Sequence, residues 1–116
     1  MKIKVDFSGK TLIASLEGEL DHHTAKNVKD TIENHIKNQN VINLVFDLTE
    51  LTFMDSSGIG VIIGRYKLID SIGGKVIIVS VSPSVDRLLT MSGIKRIIPI
   101  VKTKSDAINK LEEGTR

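Results

Sequence analysis

At 116 residues, 41% hydrophobic and 26% charged, the chain reads as one ordinary globular domain with a small core. Aromatics are scarce (three Phe, one Tyr, no Trp), so Ile, Val and Leu must build that core. A net charge of +2 gives no footprint for nucleic acid, and the lack of cysteine excludes disulfides, thiolate metal sites and thiol catalysis.

Lys2 to Phe7 alternates strictly, with Ile3, Val5 and Phe7 on one face, which predicts a strand with one wet side. Ser8-Gly9-Lys10 is a turn, and Thr11 to Glu17 returns as the second strand of a hairpin. Ala25, Val28, Ile32 and Ile36 recur at helical spacing until Asn38-Gln39-Asn40. Val41 to Leu48 is an apolar run expected of a central strand. Ile59 to Ile72 reads as a second helix, with Ile59, Ile62, Ile63, Tyr66 and Ile69 on one stripe and Gly73-Gly74 closing it. Lys75 to Val81 is another central strand. Ser82-Pro83 starts a third helix that stops at Ser92-Gly93. Ile97 to Val101 is a weaker strand, confined to an edge by Pro99, and Ser105 to Glu113 is a fourth helix burying Ala107, Ile108 and Leu111. The order β-β-α-β-α-β-α-β-α predicts a single α/β domain over residues 1–116. Its mixed sheet has an antiparallel hairpin first, then parallel strands, with about four helices.

The N-terminus alternates charge with apolar residues and is no signal peptide. The longest stretch without polar side chains, Gly58 to Gly64, is far too short to span a bilayer, so a soluble cytoplasmic protein without membrane partners is expected. Charge is uneven: residues 1–58 hold six Lys against nine Asp/Glu, and residues 59–116 hold ten Lys/Arg against five. One end of the fold is then acidic, a landing surface for a basic partner, or the two signs simply mix in solvent.

The segment Phe53-Met54-Asp55-Ser56-Ser57-Gly58-Ile59-Gly60 places an acid, two hydroxyls and glycines where a strand gives way to a helix. A helix N-terminus has free N–H groups and a partial positive charge. A hydroxyl there can cap the helix, act as a nucleophile or receive a phosphate. A dinucleotide site fails on Ile63, which stands where the third glycine belongs, and no Walker-type motif exists. A nucleophile elbow fails because Met54 and Asp55 stand where its first glycine belongs. The only histidines are His22, His23 and His35, and two adjacent histidines make a poor metal site, so no metal is expected. Phosphorylation would add roughly −1.5 to −2 charge next to Asp55 and could break a complex without unfolding the domain. Gly60 and Gly64, one turn apart, share a face with Ser57 and Lys67; either the sheet beneath or a docking partner above must approach that backbone.

Asp55-Ser56-Ser57-Gly58-Ile59-Gly60-Val61, with Gly64-Arg65-Tyr66-Lys67 after it, resembles the phosphorylation segment of bacterial anti-sigma factor antagonists, which are STAS domains. Gly18-Glu19-Leu20-Asp21-His22-His23-Thr24-Ala25 resembles the sporulation branch that opposes the anti-sigma F factor; the stress-response branch typically lacks the His pair. Ile72-Gly73-Gly74, Ser82-Pro83 and Met91-Ser92-Gly93 match as well. The resemblance implies a kinase substrate rather than an enzyme, with no cofactor. The unphosphorylated form binds an ATP-dependent, dimeric anti-sigma factor serine kinase and releases its sigma factor. Phosphorylation of Ser56, or as second choice Ser57, ends the complex, and a metal-dependent serine phosphatase resets it. Asp21 would suit an arginine on the kinase. The implied contact set is Asp21, His22, His23, Thr24, Asp55, Ser56, Ser57, Gly58, Gly60 and Gly64, so the two segments should meet at one end of the sheet. Two other readings stay open: a stress-response antagonist or stressosome-type scaffold, and a small nucleotide-binding or hydrolytic enzyme using Ser56 or Ser57.

Overall fold

In the computed structural model, which describes residues 1–114, nine helices and strands follow the predicted order. They are β1 (Lys2–Ser8), β2 (Thr11–Leu20), α1 (Ala25–Asn38), β3 (Asn43–Met54), α2 (Ser56–Ser71), β4 (Val76–Val79), α3 (Pro83–Met91), β5 (Ile100–Val101) and α4 (Lys104–Gly114). A short 3-10 turn at Ile94–Arg96 was not anticipated. The predicted extent to residue 116 includes Thr115 and Arg116, which lie outside the described residues. The strands form one sheet in the order β1-β2-β3-β4-β5, antiparallel between β1 and β2 and parallel elsewhere.

Side-chain alternation sorts the sheet into two faces. Leu12, Ala14, Leu16, Leu44, Phe46, Val76 and Ile78 join α1, α2 and α3 in the main core. Ile13, Val45, Ile77 and Val79 point the other way and are covered by Ala107 and Leu111 of α4. A strand buried on both faces reads as a continuous apolar run, which is why β3 and β4 were visible in sequence. Ile108, expected to be buried, is only half-buried. The fifth strand lies at the edge as expected but covers only Ile100–Val101 instead of Ile97–Val101; Pro99 precedes it, and its carbonyl accepts the Ile78 N–H at 3.0 Å.

Two boundaries differ from expectation in a way that matters. β3 runs six residues past Leu48, and β2 runs to Leu20 rather than Glu17. Between the pairs Ser15↔Asp47 and Glu17↔Glu50, and again between Gly18↔Leu51 and Glu19↔Phe53, β3 carries one extra residue. Each bulge resets which side faces inward, so the buried residues of β3 become Leu48, Leu51 and Met54, three apart. That spacing hides the strand from a period-2 search. The second helix also starts earlier than Ile59, at Ser56. Its far end closes as a Schellman turn, with the Gly73 N–H on Asp70 (3.0 Å) and the Gly74 N–H on Ile69 (2.9 Å). A Cβ on Gly74 would lie 1.7 Å from the Ile42 carbonyl oxygen, so this glycine is demanded by close passage of the chain.

Candidate functional site

The parallel pairing of β2 with β3 ends at Leu20↔Met54, and the Asp55 N–H donates to the Leu20 carbonyl at 3.2 Å. The two motif segments therefore meet, as expected, at the C-terminal end of these strands. Asp21 and Asp55 each follow a member of the last pair.

Asp55, in an extended conformation, is the N-cap of α2: its Oδ1 accepts the Ser57 N–H at 2.8 Å and its carbonyl accepts the Gly58 N–H at 3.0 Å. The capping task thus falls to the acid and not to the hydroxyls. Neither the Ser56 nor the Ser57 hydroxyl makes a hydrogen bond with any described residue. Ser56 is exposed; Ser57 is half-buried and faces the junction of α1 and α2.

Asp21 organises the turn into α1. Its Oδ1 accepts the N–H groups of His23 (2.8 Å) and Thr24 (3.1 Å), and its carbonyl accepts the Ala25 N–H (2.9 Å). The Thr24 hydroxyl accepts the Asp21 N–H at 3.0 Å and can donate to the Glu19 carbonyl (2.8 Å) or to Asp21 Oδ1 (3.3 Å). Partial desolvation raises the Asp21 carboxyl, but the His23 and Thr24 hydrogen bonds and the neighbouring imidazole hold it below the ordinary carboxylate range. Asp21 Oδ2 has no partner among the described residues. His22 and His23 are exposed, with ring centroids 5.6 Å apart in an edge-to-face pair. His35 lies further along α1 against Phe7, with a hydrogen bond to Gln39. Among the described residues no serine hydroxyl of the motif is hydrogen-bonded to histidine, and no group of three His, Cys, Asp or Glu could hold a metal ion.

The motif glycines divide into two kinds. Gly58 is buried, and a Cβ there would fall 2.5 Å from Met54 Cγ and 3.0 Å from Leu20 Cγ, so its bareness serves packing within the chain and it does not present a surface. An added Cβ on Gly60 or Gly64 meets nothing within 4 Å among the described residues. The sheet does not approach them, which removes one of the two explanations considered for these glycines.

Sequence reasoning overlooked two features of the site. Phe53 is 48% exposed beside the acids because the second bulge turns it outwards. Arg65 is buried at 7% exposure, its Nη2 3.0 Å from Glu33 Oε1 of α1. Nothing in the linear pattern pairs positions 33 and 65, since only the packing of α1 on α2 brings them together.

A five-stranded mixed sheet with three helices on one face and one on the other is the architecture of a STAS domain. The STAS domain profile matches residues 2–107, and the chain belongs to that family. It is 43% identical over 112 residues, 97% of this chain and 96% of the other, to an anti-sigma F factor antagonist of Paenibacillus polymyxa. It is 32% identical over 77% of each chain to an anti-sigma-B factor antagonist of Listeria monocytogenes. Among solved structures it resembles the anti-sigma factor antagonist SpoIIAA in its unphosphorylated form (TM-score 0.76, 25% identity, 96% of this chain and 98% of that one). It also resembles the Bacillus cell fate determinant SpoIIAA in its phosphorylated form (TM-score 0.74, 27% identity, 94% and 98% covered).

Proposed function

We propose that the protein is a cytoplasmic anti-sigma factor antagonist controlled by phosphorylation of Ser56. In the unphosphorylated state it binds an anti-sigma factor that is also a dimeric, ATP-dependent serine kinase, and so frees a sporulation sigma factor. The kinase modifies Ser56, the complex separates, and a metal-dependent serine phosphatase restores the binding form. The chain itself performs no catalysis and needs no cofactor.

The observation that carries this reading is the Ser56 hydroxyl, exposed and without a partner among the described residues at the mouth of α2 while Asp55 does the capping. A dianion at that place is tolerated by the start of the helix. It stands beside Asp55 and near Asp21, where one more like-charge pair at contact distance costs about 1 kcal/mol in water and several times that in a dehydrated interface. The free Oδ2 of Asp21 suits a guanidinium on the partner, and the open backbone at Gly60 and Gly64 suits its close approach. His22, His23 and Thr24 border the same surface, and greater exposure favours Ser56 over Ser57 as acceptor.

The test is incubation with an F-type anti-sigma factor and ATP, followed by mass-spectrometric localisation of the phosphate. Ser56→Ala should bind the kinase and take up no phosphate; normal labelling of that variant would move the acceptor to Ser57. Capture of a stress-response kinase in place of the F-type partner would assign the chain to the sigma-B or stressosome branch. Turnover of ATP, GTP or a model ester by the chain alone, lost with Ser56 or Ser57, would make it an enzyme.

A further inference from the structure

Behind the serines, α1 and α2 enclose a notch of about 440 Å³ lined by Lys26, Lys29, Ser57, Gly60 and Arg65, among others. The unusual member is Arg65. One guanidinium nitrogen meets Glu33, but Nε and Nη1 are shielded from solvent and have no hydrogen-bond partner among the described residues. Buried N–H groups are nearly always paired, and an unpaired one carries its full desolvation cost. A methionine would fill the same space without that cost. An arginine in this place is therefore matched to something the described residues do not supply.

The surroundings say what kind of group that is. Lys29 makes no ion pair with a described residue, Lys26 is held by Asp30 at 2.7 Å, and Arg65 by Glu33. The lining residues include three cations and no acid; Asp30 and Glu33 pair with two of them, and Asp55 lies next to Ser57 at the rim. Gly60 leaves its wall as bare backbone, and the unbonded Ser57 hydroxyl forms part of the lining. Unpaired guanidinium N–H groups flanked by lysines call for an oxyanion, and a tetrahedral one has oxygens enough to meet the guanidinium, the lysines and the Ser57 hydroxyl together.

We propose that the α1–α2 notch is a binding site for a phosphoryl-type oxyanion, with Arg65 as its central donor and Lys26, Lys29 and Ser57 around it. The ion engages Arg65 by drawing the guanidinium outwards from beneath the surface. Two sources share this chemistry: free phosphate, and a phosphate esterified to Ser57, which lines the notch as Ser56 does not. The free ion is independent of the kinase reading, whereas the ester rests on it, with Ser57 rather than Ser56 taking the phosphoryl group from ATP.

The experiment is titration of the full ¹⁵N-labelled chain with inorganic phosphate at constant ionic strength. The Arg65 Nε–H and the Ser57 and Gly60 amides should shift and saturate. Binding should weaken at least ~10-fold in a Lys26→Ser/Lys29→Ser variant, whose altered side chains are exposed, and vanish in Arg65→Met. In parallel, phosphoserine is placed at 56 or at 57 and followed by ³¹P resonance. A lower second ionisation at 57 than at 56, reversed by the lysine substitutions, assigns the site to an esterified phosphate. Saturating shifts from free phosphate that persist with phosphoserine at 57 assign it to the free ion. Absence of saturation together with equal titration of both phosphoserines overturns the proposal, as do shifts indifferent to the lysine and arginine substitutions.

Discussion

Replacing Gly60 and Gly64 by alanine separates the needs of the fold from the needs of a partner. Both lie inside α2, and neither added methyl meets an atom within 4 Å. The fold therefore gains the helix propensity that glycine forgoes, about 0.5–1 kcal/mol per site, with no steric penalty to offset it. A domain of this size has an unfolding entropy of roughly 0.24 kcal/mol/K, so each substitution should raise the melting temperature by about 2–4 °C. Gly58→Ala is the control on the same helix: its Cβ would press within 2.5 Å of Met54 Cγ and 3.0 Å of Leu20 Cγ, and melting should fall by a destabilisation of about 1–3 kcal/mol. If the bare face accepts a partner's backbone, the stabilised Gly60→Ala and Gly64→Ala proteins should bind the anti-sigma kinase at least ~10-fold more weakly. Calorimetry and titration binding measure the two arms. A melting temperature that falls at 60 or 64 would refute the open-face geometry. Unchanged binding in the stabilised variants would refute the docking role.

Ser56→Asp should melt within about 2 °C of the parent, since it adds an acid at the start of a helix, yet bind the kinase at least ~10-fold less tightly in the same titration. Asp21 has its carboxyl held below the ordinary range, so its contribution to stability is present above about pH 4 and is lost as pH falls through the folded-state value. Asp21→Asn retains an acceptor for the His23 and Thr24 N–H groups, and its melting curve should decline less steeply with acid than the parent's; equal slopes would contradict the assignment. At neutral pH the same variant should bind the kinase more weakly without loss of fold. For the pair joining α1 to α2, Glu33→Gln leaves Arg65 buried without a counter-charge and should cost about 3 kcal/mol in urea unfolding, whereas Arg65→Met should cost far less. The reverse order would mean that the guanidinium is matched within the chain after all.

Much of the site was legible because its parts are local. Asp55 caps α2 through a bond two residues along, and the junction of an apolar strand with a helix marks the place without any knowledge of the fold. Choosing among the tasks of Ser56 and Ser57 was not local. Both hydroxyls were as fit to cap as the aspartate, and only the backbone geometry at Asp55, φ −116° and ψ −170°, settled which side chain turned inwards. The tail of β3 was missed because two bulges convert a period of two into Leu48, Leu51 and Met54.

What the chain determined by itself was the order of strands and helices and the positions of their caps and breaks, because hydrophobic period, N-cap chemistry and glycine breaks act over a few residues. Tertiary structure decided which residues share a place. Leu20 lies beside Met54, α1 brings Glu33 to Arg65, and no described residue stands over Gly60 and Gly64. Those relations join residues some thirty positions apart, or depend on what is missing from the space above a helix. They are set by sheet register and helix packing, which no short window of sequence contains.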